Sequence, residues 1–185
     1  FYNIEKDGKI IKALAQTTKM GLVFLLNRET GEPIFPIEER EVPQGAVKGD
    51  YVTKTQPFPT KPAPLTPTYL NPENVFGFTP WDKGYCKKAT KDLRNEGLYT
   101  PPSIQGSVHY PSAIGGANWG GPAIDASRNI LIANTMNLSS TIVMIPRDEC
   151  NKAIENSKKA NTGEIKGGAI EALARDSVQA RFSGL

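Results

Sequence analysis

The heptapeptide Gly115-Gly116-Ala117-Asn118-Trp119-Gly120-Gly121 limits what this chain can become more than any other stretch. Two glycine pairs bracket a carboxamide and an indole. Glycine has no Cβ, so the backbone there can approach a neighbour closely and adopt angles closed to other residues. Asn118 both donates and accepts hydrogen bonds, while Trp119 offers a broad π-face and one N–H donor. Such a segment suits a wall beside something flat, and it equally suits a glycine-rich turn around a core tryptophan.

A degenerate repeat points to a β architecture. Thr17 to Gly31 reads as strand, bend, apolar strand and polar turn. Asn129 to Asp148 has the same shape, with Thr141 to Ile145 as its second apolar strand and Arg147-Asp148 as its turn. Repeated strand pairs of this kind are expected of propeller blades.

Five segments, in order, then resemble one family. They are Thr18-Lys19-Met20-Gly21 with Asn27-Arg28-Glu29-Thr30-Gly31; Gln44-Gly45-Ala46-Val47-Lys48-Gly49-Asp50-Tyr51; Lys54 to Pro59; Leu98 to Gly106; and Gly115 to Gly121 with Pro122-Ala123-Ile124-Asp125. The chain resembles the pyrroloquinoline quinone (PQQ)-dependent dehydrogenases, above all the membrane-bound quinoprotein glucose dehydrogenase branch. The likeness runs to about Cys150 and fades from Asn151 onward.

The resemblance implies a mainly β fold: part of a quinoprotein β-propeller, with a long Pro-rich loop and one or more short helices. PQQ is a flat ortho-quinone with three carboxylates, so its site needs cations, a stacking surface and a base. The likeness assigns Lys19 to the quinone oxygens, where a positive charge would stabilise the reduced cofactor. It places Asn118 at the quinone edge and Trp119 either beside the cofactor or packed between blades. The glucose dehydrogenase branch often has another residue before that tryptophan, which leaves the substrate open. The tryptophan that commonly closes a blade after Thr-Gly is absent; Phe35 stands near its place. The family's catalytic aspartate and the ligands of its Ca2+ or Mg2+ lie upstream of the lysine motif. No residue from Phe1 to Thr18 matches them, so this chain is assigned no catalytic base and no metal ligand.

Composition narrows the alternatives. The net charge is +3, and no basic block interleaved with aromatics suggests nucleic acid. No apolar run reaches the length of a membrane span. The single histidine, His109, reads as structural within a strand Ser107 to Tyr110, and no Cys or His cluster suggests zinc. If paired, Cys86 and Cys150 would stabilise by roughly 4 kcal/mol; two thiols fit the sequence as well. At 185 residues, without an initiator Met, the chain reads as a piece of a longer polypeptide, too short for about eight four-stranded blades.

Along the chain, residues 1–150 are expected to form the partial propeller. Blade strands fall in 9–35, with Glu32 to Phe35 a short edge strand and Glu5 and Asp7 in a polar, turn-like start. A proline-rich excursion with few strand signals spans 36–80, suited to walling a pocket or, as a PxxP ligand, to recruiting a partner. Thr79-Pro80-Trp81-Asp82 is a capped helix start, so a helix is expected over 80–96, with Tyr85, Ala89 and Leu93 as its apolar stripe and Gly97 as its stop. Blade strands resume in 104–148, with Asp125 in a turn. Residues 151–185 are helix-compatible over Asn151 to Asn161 and Ala169 to Arg181.

The expected parent is a periplasmic enzyme, attached to the inner membrane through a part not present here. It would oxidise a sugar or polyol hydroxyl and pass electrons to a membrane quinone or cytochrome, while this piece alone would be inactive. The rival reading is a propeller-derived binding or assembly module without catalysis.

Overall fold

A two-residue Asp-Gly turn starts the fold. Asp7 and Gly8 both have positive φ, 52° and 73°, the geometry of a tight hairpin whose twist matches its strands. They join β1 (Tyr2–Lys6) to β2 (Lys9–Thr17) in an antiparallel pair. The polar start expected around Glu5 and Asp7 is therefore a strand: Tyr2 and Ile4 alternate with Asn3 and Glu5, and only Asp7 lies in the turn. β3 (Val23–Asn27) adds to the far edge of β2, in the order β1-β2-β3.

Residues 1–159 and 178–184 are described by this computed structural model. They fall into two units of interleaved segments, 1–42, 53–69 and 110–138 in one and 43–52, 70–109 and 139–185 in the other.

In the first unit, Ile4, Ala13 and Ile34 form a buried cluster with Tyr2, Ile11, Leu25 and Phe35 packed on it. Ala13 has no exposed surface, and Leu22 and Val23 are 1% exposed, as an apolar run covered on both faces requires. Phe35 thus serves as a core aromatic, with the Lys6 ammonium 5.0 Å from its ring centroid. The expected edge strand at Glu32 to Phe35 shrinks to one bridge, Leu26 to Pro33. The proline-rich excursion instead contains a hairpin, β4 (Ile37–Glu41) with β5 (Thr55–Pro59). Pro57 and Pro59 are tolerated because this sheet has two strands, each with an outer edge that needs no donor. β7 (Pro122–Asp125) and β8 (Ile130–Ala133) make a second hairpin. As expected, Asp125 sits at its turn, accepting from the Ser127 hydroxyl at 2.6 Å and from the Ser127 and Arg128 amides. The Ser127 hydroxyl and the Arg128 amide hold its carboxyl below the ordinary value.

In the second unit, β9 (Ser140–Pro146) pairs with β6 (Ser107–His109) on one edge and β10 (Val178–Gly184) on the other. Ser107 is fully buried and donates to the Pro101 carbonyl at 2.6 Å. The repeat read in the sequence is broken here. β2 pairs with β3, but β8 is taken by β7, and β9 joins a different sheet. Arg147-Asp148 starts α2 (Arg147–Lys159) rather than making a turn. Of the second expected C-terminal helix, residues 169–177 lie outside the described residues, and 178–181 belong to strand β10.

Helix α1 (Pro80–Lys91) begins as expected: Thr79 Oγ1 accepts from the Asp82 amide, and the Asp82 carboxylate accepts from the Thr79 amide. It stops at Lys91, short of Gly97. Its face is also turned around. Thr90 is the buried residue, while Tyr85 is 74% exposed. Cys86 is a half-buried thiol and Cys150 a buried one, not joined in a disulfide.

Two outcomes follow. Thr79→Ala removes the capping acceptor and should weaken α1 by about 1 kcal/mol, read as faster amide exchange confined to residues 80–91. His109 is held below the ordinary histidine value of 6.5 by burial, opposed by a hydrogen bond with the Thr100 backbone, and its Nε2 is buried without a partner. Below pH 6.5 the unfolded chain takes up this proton before the folded one does, so His109 makes stability fall as pH drops through that value toward its folded one. Urea midpoints for His109→Gln should show a shallower loss between pH 7 and 5 than the parent.

Candidate functional site

The site is assembled by backbone. β2 ends at Thr17, and the chain turns through Thr18 to Leu22. The Thr18 amide donates to the Leu22 carbonyl at 2.9 Å, Gly21 N to the Thr18 carbonyl at 3.0 Å, and Leu22 N to Thr18 Oγ1 at 3.1 Å. Onto this turn the loop 113–121 is laid almost a hundred residues later. Gly116 N donates to the Lys19 carbonyl at 2.5 Å, Ala117 N to the Thr18 carbonyl at 3.2 Å, and Met136 N to the Gly116 carbonyl at 2.8 Å.

Only glycine allows this apposition. A Cβ at Gly115 would lie 2.8 Å from Lys19 Cγ and 3.0 Å from its Cα, and Gly115 has φ of +83°. A Cβ at Gly116 would lie 2.8 Å from the Gly21 Cα and 3.0 Å from Thr66 Oγ1. Gly21 in turn has φ of +75°, and a Cβ there would overlap Thr66 Oγ1 at 2.0 Å. Thr66 is 3% exposed, and the neighbouring Leu65 amide donates to the Gly21 carbonyl at 2.8 Å. The tail of the proline-rich excursion is thus packed under the turn. The second glycine pair is different: Gly120 and Gly121 have nothing within 4 Å of a built Cβ.

The three residues singled out in the sequence line one cleft of about 480 Å3, with Ala15 to Thr18 on one side and Ala117, Gly121 and Pro122 on the other. That volume lies in the range of small-molecule sites, roughly 300–1,000 Å3. The exposed Lys19 ammonium donates to the Ala113 carbonyl at 2.8 Å, which leaves it further N–H donors. Asn118 Nδ2 donates to the Ile114 carbonyl at 3.0 Å, and its Oδ1 accepts from the Trp119 amide at 3.0 Å. The carboxamide therefore shapes its own loop. Trp119 is 96% exposed, so it is not a core residue of this chain. A second cleft, also about 480 Å3, opens on the other side of the loop, where Asn134, Thr135 and Met136 face Asn118 and Trp119. Asn134 to Met136 were not singled out in the sequence; the hydrogen bond from Met136 to Gly116 is what brings them there.

The donor set fits an anionic planar quinone: one ammonium with spare donors, one carboxamide, and an indole free on both faces. Among the described residues, no three His, Cys, Asp or Glu side chains gather as a metal would need. No helix of those residues is long and apolar enough to cross a membrane.

The described strands form small antiparallel sheets, with a glycine loop clamped against a lysine turn, as a piece of a β-propeller would. The chain belongs to the PQQ family described as glucose/ethanol/alcohol dehydrogenase, beta-propeller domain, which it matches over residues 1–181; the likeness extends past Cys150, where the motifs fade. It is 36% identical over 171 residues to the quinoprotein glucose dehydrogenase of Escherichia coli (strain K12), covering 89% of this chain and 21% of that protein. The Gluconobacter oxydans (strain 621H) quinoprotein glucose dehydrogenase is 37% identical over 86% of this chain and 20% of its own length. A probable quinate dehydrogenase (quinone) of Xanthomonas campestris pv. juglandis is 35% identical over 85% and 20%. The chain thus spans about a fifth of the curated relatives it matches. No solved structure matches it.

The two glycine pairs should separate on substitution. Gly115→Ala combines a left-handed backbone, about 1–2 kcal/mol, with overlap against Lys19, about 1–3 kcal/mol. Gly120→Ala should stay within about 0.5 kcal/mol of the parent. Paired urea melts measure both.

Proposed function

We propose that this chain supplies one wall of the PQQ site of a dehydrogenase acting on a sugar or polyol hydroxyl. The observation that supports it is the convergence of Lys19, Asn118 and Trp119 on one cleft, together with family membership. When bound, PQQ supplies an ortho-quinone that accepts the two electrons removed from the alcohol carbon.

The chain's residues have three tasks. The Lys19 ammonium, steadied by the Ala113 carbonyl, holds negative oxygens at the rim of the cleft and favours the state in which they carry more charge. Asn118, by clamping Ile114 and Trp119, fixes the height of the wall. The Trp119 indole covers one face of the cleft and displaces water from it. The base and the Ca2+ or Mg2+ ligands belong to parts of the longer protein outside this chain, so the piece alone gives no turnover. Residues 1–150 carry the family's motifs and form its propeller portion, to which β10 adds a strand beside β9. The whole enzyme works in the periplasm, joined to the inner membrane elsewhere, and delivers electrons to a membrane quinone or cytochrome.

The test uses the longer protein reconstituted with PQQ and Ca2+ or Mg2+, assayed for dye-linked oxidation of aldoses, polyols and quinate. Lys19→Ala should lower kcat/KM by about 10²–10³-fold and weaken PQQ binding, measured separately by tryptophan quenching. Unchanged PQQ affinity and turnover in Lys19→Ala would remove Lys19 from the site. No oxidation of any of these substrates by the parent would favour a non-catalytic binding module.

A further inference from the structure

Helix α1 presents the wrong face to its own unit for a helix meant only to fill a core. It buries Thr90 and half-buries Cys86 and Ala89. At 3.6 residues per turn, Trp81 and Tyr85 fall on the side roughly opposite Thr90, and they are 83% and 74% exposed. Just before the helix, Phe76 and Phe78 pack edge-to-face, ring centroids 5.0 Å apart, yet are 73% and 90% exposed. Four aromatic side chains within ten residues are thus left in water. Scattered exposed apolar residues are ordinary, but four exposed aromatics crowded into ten residues of chain point to a contact surface.

The charges around the patch identify its occupant. The helix holds four lysines and one acid, and that acid, Asp82, is committed to the cap. Lys87 pairs with Glu73 at 2.5 Å. Lys83 also acts on Glu73, helping to hold its carboxyl below the ordinary value after the larger effect of Lys87, and it falls about 20° from Thr90, on the inner side of the helix; Lys88 and Lys91 have no ion-pair partner among the described residues. Lys88 falls about 20° from Trp81 around the helix axis, so aromatic and cationic groups share the outward side. Lysine is depleted where proteins bury surface against each other. At a bilayer surface the combination is favourable: aromatic rings sit at headgroup depth, and lysines lay their stems on the apolar layer and extend their ammonium groups to anionic headgroups.

We propose that α1 and the loop before it are a peripheral docking surface for a bilayer bearing anionic lipid. Phe76, Phe78, Trp81 and Tyr85 enter the headgroup layer, and Lys88 and Lys91 meet its charge. This surface is independent of the cofactor cleft and of whether the protein is catalytic.

The sequence holds two tryptophans, Trp81 and Trp119, so Trp119→Phe leaves Trp81 as sole reporter in the 185-residue chain. Vesicles of phosphatidylcholine with about a third phosphatidylglycerol should shift Trp81 emission to the blue, and brominated acyl chains should quench it; pure phosphatidylcholine should do neither. Such a lysine-dependent contact weakens with salt. Replacing Phe76, Phe78, Trp81 and Tyr85 together by Ser should reduce sedimentation with the same vesicles at least tenfold, with an unchanged circular dichroism spectrum as the folding control. In the longer protein, a bimane on Lys88→Cys should be solvent-exposed without vesicles and protected by phosphatidylglycerol vesicles. Equal binding to neutral and anionic vesicles, or water-like Trp81 emission throughout, overturns the proposal. A bimane protected without vesicles also overturns it, because the rest of the polypeptide then covers this face.

Discussion

The site depends on a backbone-to-backbone contact in which side chains have no room. Gly115 and Gly116 lie on the turn from Thr18 to Gly21 at distances that any Cβ would violate, and the amide of Gly116 donates into the Lys19 carbonyl. The contact joins segments far apart in sequence, so its loop-closure entropy is large. That cost is offset locally. The Thr18 hydroxyl accepts from the Leu22 amide, and the Leu65 amide donates to the Gly21 carbonyl. Each strand end reaches the contact with its polar groups already accounted for, as buried backbone requires.

This arrangement changes what the glycines mean. In the sequence, all four read alike, as a wall beside a flat ligand or as a glycine-rich turn. In the structure, the first pair serves the protein's approach to itself, and only Gly120 and Gly121 border open space. The wall of the cleft is therefore a consequence of a tightly packed turn. A substitution at Gly115 would move Lys19 without touching any ligand.

Much of the local structure was readable because its signals are short-range. Thr79, Pro80 and Asp82 cap α1 as their spacing implies, and Asp125 closes its hairpin. β1 was readable too, through the Asp7-Gly8 turn and the alternation of Tyr2 and Ile4, but its polar residues disguised it. What sequence left hidden is the pairing of distant segments. The apolar runs Gly21 to Leu26 and Thr141 to Ile145 look alike, yet β3 finds β2 while β9 finds β6 and β10. Strand partners are decided by which edges remain open, and the β7–β8 hairpin removes one of them. The facing of α1 was misread for a related reason: spacing four identifies a stripe, and only packing decides whether the stripe turns inward. Asn134 to Met136 had no motif at all and reach the second cleft through one hydrogen bond to Gly116.

The fixed loop has a consequence for recognition. Trp119 is nearly fully exposed, and a free indole usually means a mobile one. Its backbone, however, is held by the Asn118 carboxamide and by the Gly121 amide donating to the Asn118 carbonyl at 3.1 Å. A ligand entering the cleft would therefore order the indole's two side-chain torsions and almost none of the main chain. Immobilising one side chain costs about 0.5–1.5 kcal/mol, far less than ordering a loop of seven residues at about 1–2 kcal/mol each. The glycine contact would thus lower the entropic cost of closing the indole on any ligand that entered the cleft, and it would do so through the backbone alone.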